Sequence, residues 1–296
     1  MRKREVKIEH LLGIICPERV DNFIYGYDYK SCCHISCLGR GLFWVSDGRK
    51  LLLTNQQGKS IFRVIDALSS GSGMHTLSKK LELIYIDKNL KINDGKIDVH
   101  IKREECEWEP LSLFCSKTNG EILVAMTSKT SESCKIVIYM GTGRCVLQYE
   151  SQDYKKPIFI TENTNIDIVV SDSGRCAVVV SNRKGRHRFS YKGHPPESSL
   201  DPLGICTDLL SNILVCSVDT VQMIDKNGQF LLDIFKEPLM EINPISLCYE
   251  VARDVVWVGF NDRSNTIIVY RHIDRKPALM GKFAFLISQR FALSLE

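Results

Sequence analysis

The sequence predicts an all-β chain folded as a six-bladed β-propeller of four-stranded antiparallel blades, and three observations carry that expectation. Four segments begin alike, "EPLSLFC" at Glu109, "KPIFITE" at Lys156, "DPLGICT" at Asp201 and "NPISLCY" at Asn243, and their prolines stand 47, 45 and 42 residues apart. That interval holds four short strands and their turns. Turn glycines keep the same beat: Gly58, Gly95, Gly143, Gly185 and Gly228 follow one another at 37, 48, 42 and 43 residues. Hairpin turns such as "NDG" and "KNG" need the positive φ that glycine accepts. Runs such as "ILVAM", "KIVIYM", "CAVVVS" and "DVVWVGF" are continuously apolar, the mark of strands covered on both faces.

The elements follow in order. Residues 1–17 read as a leader in which "REVKIEHLL" is expected to end a coiled coil; the apolar run behind it is too short for a signal peptide or a membrane span. The propeller is expected over residues 18–273. It opens with the strand "ERVDNFIYG" from Glu18 and continues with two divergent units, "ISCLGRGLFWVSDGRKLLLTNQQGKSIFRV" and "GMHTLSKKLELIYIDKNLKINDGKIDV". The four proline-led units come next. The last, from Asn243 to Ile273, has three strands and no glycine turn to a fourth, so the N-terminal strand is expected to join it and close the ring. Residues 274–296 have no counterpart in the repeat.

Composition narrows the chemistry. With 39 basic and 35 acidic side chains the net charge is +4, so any affinity for nucleic acid must come from a local patch. The candidate is "SNRKGRHRFSYKGHPP" from Ser181, with Arg183, Lys184, Arg186, Arg188 and Lys192 around Phe189 and Tyr191. In the repeat it reads as the last hairpin of a blade, with Phe189 and Tyr191 on one side of an edge strand and Arg188 and Ser190 on the other. Twelve cysteines contain no C-x-x-C pair, which argues for buried thiols over zinc and for a reduced, cytoplasmic setting. No G-x-S-x-G, phosphate loop or H-E-x-x-H occurs. His34, His75, His100, His187, His194 and His272 are scattered and read as turn or surface residues.

Acidic residues recur after the second strand of several units: Asp47 in "WVSDG", Asp87 in "IYIDK", Asp172 in "VVSDS" and Asp219 in "CSVDT". They are expected to accept backbone N–H groups of the following loop rather than to hold a metal. With the glycine turn behind strand three, this arrangement resembles NHL repeats. "FWVSDGRKLLLTNQQGK", "GRHRFSYKGHPP" and "GICTDLLSNILVCSVDTVQMIDKNGQFL" resemble the C-terminal propellers of tripartite-motif proteins, including the set expanded in molluscs.

The resemblance implies a non-catalytic module that recognises substrates for a ubiquitin ligase, because no RING or B-box ligand set is present. It implies binding of a protein partner through one loop face, with RNA binding in post-transcriptional regulation as the alternative. The face residues are Arg49, Lys50, Lys129, Arg175, Asp219, Asp262 and Arg263, whose mixed charge favours a protein partner over phosphates. No membrane, cofactor, metal or small-molecule substrate is inferred.

Overall fold

The computed structural model describes residues 12–24, 31–64, 73–87, 92–93, 98–99, 107–141, 143–194, 200–235, 243–261 and 266–275. The residues there are strand and turn, and no helix among them is long and apolar enough to cross a membrane. Strand β1 (Leu12–Ile24) precedes the first blade, which is β2 (His34–Gly39), β3 (Leu42–Ser46), β4 (Leu51–Asn55) and β5 (Ser60–Val64). The second is β6 (His75–Leu77), β7 (Leu83–Ile86), β8 (Ile92–Asn93) and β9 (Asp98–Val99). The third is β10 (Trp108–Cys115), β11 (Ile122–Ser128), β12 (Cys134–Tyr139) and β13 (Cys145–Glu150). The fourth is β14 (Pro157–Glu162), β15 (Ile168–Asp172), β16 (Ala177–Ser181) and β17 (His187–Tyr191). The fifth is β18 (Ile205–Thr207), β19 (Ile213–Cys216), β20 (Val221–Ile224) and β21 (Phe230–Asp233). The last is β22 (Pro244–Glu250), β23 (Val255–Phe260) and β24 (Thr266–Arg275), completed by β1.

All six sheets are antiparallel, and their inner strands β2, β6, β10, β14, β18 and β22 pack each on the next, with β22 returning to β2. The chain is an all-β propeller. Five sheets have four strands of three residues or more, whereas the second ends in two strands of two residues each. The expected set of six four-stranded blades is therefore corrected to five full blades and one reduced blade. Its outer half has single apolar residues set among Lys91, Asn93, Asp94, Lys96 and Asp98, too little apolar surface to hold long strands against a neighbour. Gly95 lies outside the described residues.

Ring closure rests on β1, which pairs antiparallel with β24 from Leu12↔Arg275 to Ile24↔Thr266. The strand starts at Leu12, inside the segment 1–17 read from sequence as a leader. Pro17 falls where the register shifts between Ile14 and Glu18, a place on an outer strand where the missing N–H costs no ladder bond. The repeated prolines work alike. Pro110, Pro157 and Pro244 each stand near the start of an inner strand, directly before a bulge.

Apolar runs fill the space between blades. Phe43 and Trp257 meet at 5.0 Å between ring centroids where the first and last blades pack. Ile136, Ile138, Ile168 and Val170 join the third to the fourth. Polar stitches cross the same seams: Ser112 Oγ donates to Pro157 O at 3.2 Å, and Ser246 Oγ to Cys32 O at 2.7 Å. Gly204 N donates to Ile245 O at 3.1 Å.

Candidate functional site

Each blade is a meander, so the inner strands all run in one sense along the propeller axis. Their first residues gather at one end, together with the loops between second and third strands. His34 and His75 are the first residues of β2 and β6. Phe159 is near the start of β14, three blades from β2 and so on the opposite side of the ring. His34 nevertheless stacks on Phe159 at 5.9 Å with 13° between planes, and meets His75 edge-on at 4.5 Å and 73°. The three rings therefore converge across the axis.

Local structure fixes this cluster. Gly73 takes φ +59°, and a Cβ there would lie 2.3 Å from Ser46 Oγ, so only glycine fits. Its carbonyl accepts from Ser46 Oγ at 2.7 Å and lies 3.0 Å from His75 Nδ1. A carbonyl can only accept, so His75 carries its proton on Nδ1 and bares the Nε2 lone pair. Nε2 of His75 and Nδ1 of His34 are buried with no hydrogen-bond partner.

Burial drives the pKa of His75 down to about 4, against the opposing pull of the Gly73 and Trp44 carbonyls. Desolvation, and then the neighbouring His75, hold His34 well below its ordinary range. Both rings are neutral near pH 7. Two neutral imidazoles with open nitrogens against an aromatic wall can take a proton from a bound molecule or from water.

The reading of the histidines as turn or surface residues is thus corrected for His34, His75 and His272, which is buried 3.2 Å from Asp208 Oδ2. His187 and His194 are exposed, and His100 lies outside the described residues. One signal was present in the sequence: "CHISC" and "GMHTL" put His34 and His75 at the start of inner strands, near where other blades carry proline.

The residues predicted for the loop face do not converge on this cluster. Arg49, Lys129, Arg175 and Asp219 are exposed on separate loops, and Lys50 is half-buried. Lys129 N donates to Glu107 O at 2.8 Å, and the Arg175 guanidinium donates to Gln152 O. Asp262 and Arg263 lie outside the described residues. Asp47 Oδ1 accepts the N–H groups of Arg49 and Lys50, and the Asp172 carboxylate those of Lys155, Lys156 and Arg175. Among the described residues no group of three or more His, Cys, Asp or Glu is placed to hold a metal.

The basic stretch is the β16–β17 hairpin. Arg183 pairs with Glu121 of the neighbouring blade and Arg188 with Asp167 of its own. Lys184, Arg186 and Lys192 are exposed along the turn and edge. Phe189 packs inward and Tyr191 donates from its hydroxyl to Gln222 Oε1 at 2.8 Å.

No family model matches the chain, and no curated protein matches it in sequence. Solved structures match it in fold. The gluconolactonase of Xanthomonas campestris aligns with a TM-score of 0.63 at 12% identity, covering 87% of this chain and 95% of its own. A catalytically inactive histidine-to-alanine variant of the virginiamycin B lyase of Staphylococcus aureus, solved with quinupristin, aligns at 0.59 and 13%, covering 88% and 99%. A streptogramin B lyase aligns at 0.57 and 16%, covering 85% and 86%.

This chain shares their propeller fold. At these identities the likeness establishes architecture alone. The NHL and tripartite-motif identity expected from the sequence is not shown by any comparison. The expected non-catalytic module, binding protein or RNA, is corrected: the three proteins just named are enzymes on this fold, so lack of a RING says nothing against catalysis here.

Proposed function

We propose that the chain is an enzyme whose active site is the histidine end of the propeller axis, and that it opens a lactone or related cyclic ester by general-base catalysis. The observation that carries the reading is the buried, unpartnered Nε2 of His75, with its tautomer fixed by Gly73. Gluconolactonases and lyases on the same fold supply the substrate class.

His75 acts as the base. Nε2 takes a proton from a water that attacks the ring carbonyl, or from carbon in an elimination; either opens the ring. His34, edge-on to it, is the adjacent imidazole that can pass the proton on, and Phe159 forms the apolar wall. A base with a pKa of about 4 is free of its proton at neutrality but weakly basic. It therefore suits an activated lactone carbonyl better than an amide.

The test is ring opening by the purified chain on a panel of sugar lactones and macrocyclic esters, followed by proton release and mass change. Turnover that falls about 100-fold in His75→Ala, with melting behaviour retained, supports the reading. No opening of any member, or turnover indifferent to His75→Ala, overturns it.

A further inference from the structure

The other end of the axis is lined by sulfur. Cys37 of β2, Cys115 of β10, Cys206 of β18 and Cys248 of β22 come from four different inner strands. Cys37 faces Cys248 and Cys206, and the Lys117 ammonium faces Cys115 and Cys248. Lys117 is held there by donating from Nζ to Leu77 O at 2.7 Å. The Glu250 carboxylate faces Cys37 and Cys248 as well.

Cys37 and Cys248 are the pair that meets. Cys37 N donates to Cys248 Sγ at 3.2 Å across 211 residues of sequence, and the two side chains also hydrogen-bond each other. Two donors from one residue on one sulfur favour its thiolate, and the nearby ammonium of Lys117 adds to this. Together they pull Cys248 below the ordinary thiol range, while burial pushes Cys37 up. Cys37 and Cys248 are half-buried as residues, with their sulfurs enclosed, whereas Cys32, Cys115, Cys206 and Cys216 are buried outright. The pair also sits at the seam: β2 opens the first blade and β22 the last, and the non-covalent step that closes the ring is the β1–β24 ladder.

We propose that Cys37 and Cys248 form a reversible disulfide that locks the first blade to the last in response to a peroxide-class oxidant. The Cys248 thiolate attacks the O–O bond, becoming a sulfenic acid and releasing hydroxide. The Cys37 thiol then displaces water from that sulfur, so each sulfur gives up one electron and the peroxide is reduced to two waters. The bond cross-links most of the chain, and so restrains the unfolded state and holds the ring shut.

Peptide mapping of the full chain after stoichiometric hydrogen peroxide, with free thiols alkylated and no reductant added, is the experiment. The expected result is a Cys37–Cys248 linked peptide, reversed by dithiothreitol, and a melting temperature several degrees higher. In Cys37→Ser a dimedone adduct is expected on Cys248, because the sulfenic acid loses its resolving thiol. Full alkylation of both cysteines after peroxide, or linkage of either to another cysteine, overturns the proposal. Wild-type mapping decides this even if the variant fails to fold.

Discussion

Asp172 Oδ2 accepts the backbone N–H of Lys155 at 2.6 Å from a side chain with no exposure to solvent. Oδ1 takes the N–H groups of Lys156 and Arg175, at 2.9 Å each. One carboxylate thereby joins the loop entering the fourth blade to the turn after β15. Removing it strands the Lys155 and Lys156 donors, while Arg175 N keeps the Asp172 main-chain carbonyl, so Asp172→Ala is expected to cost about 3 kcal/mol. Asp219→Ala, at an exposed loop position, is expected to stay within about 0.5 kcal/mol. Urea unfolding of the two variants checks the contrast.

Gly204 tests the seam between the fifth and last blades. A Cβ there would lie 2.5 Å from Ser246 Cα and 2.7 Å from Ile245 O. Both obstacles are backbone, which cannot swing aside as a side chain can. Gly204→Ala is expected to destabilise the ring by about 2–4 kcal/mol, read as a lower melting temperature.

The histidine cluster makes stability depend on pH. His75 has its pKa lowered in the fold, from 6.5 to about 4, so between those values the unfolded chain binds a proton that the folded chain refuses. Its contribution is complete above pH 6.5 and lost as pH falls toward 4, by about 3 kcal/mol over the window. His34 shifts in the same direction. His75→Gln is expected to flatten the acid limb in denaturant titrations from pH 7 to 4; an unchanged limb contradicts the assignment.

Arg188 and Arg183 are engaged in ion pairs on partly exposed surface. Arg188→Ala is expected to cost at most about 1 kcal/mol, measured by thermal melting.

Periodic features were legible in the sequence because they are local. The proline and glycine beat marks bulges and turns: Gly58, Gly143, Gly185 and Gly228 all take positive φ. The missing fourth strand of the last unit pointed to β1, and Phe189 and Tyr191 face inward as strand alternation requires. The histidine cluster was not legible, since His34 and Phe159 meet only when opposite blades close on one axis. The shortened second blade was hidden as well. Its "NDG" turn looks like the others, and the deficit lies in how little apolar surface flanks it.

The most direct test of the catalytic reading is a long-range proton–nitrogen NMR spectrum of the His75 ring, recorded from pH 7 to 5 with and without a lactone. The neutral Nδ1–H form should persist throughout, and the Nε2 resonance should shift when the lactone is added. A proton on Nε2, titration near the ordinary histidine pKa, or an Nε2 signal blind to every lactone would contradict it.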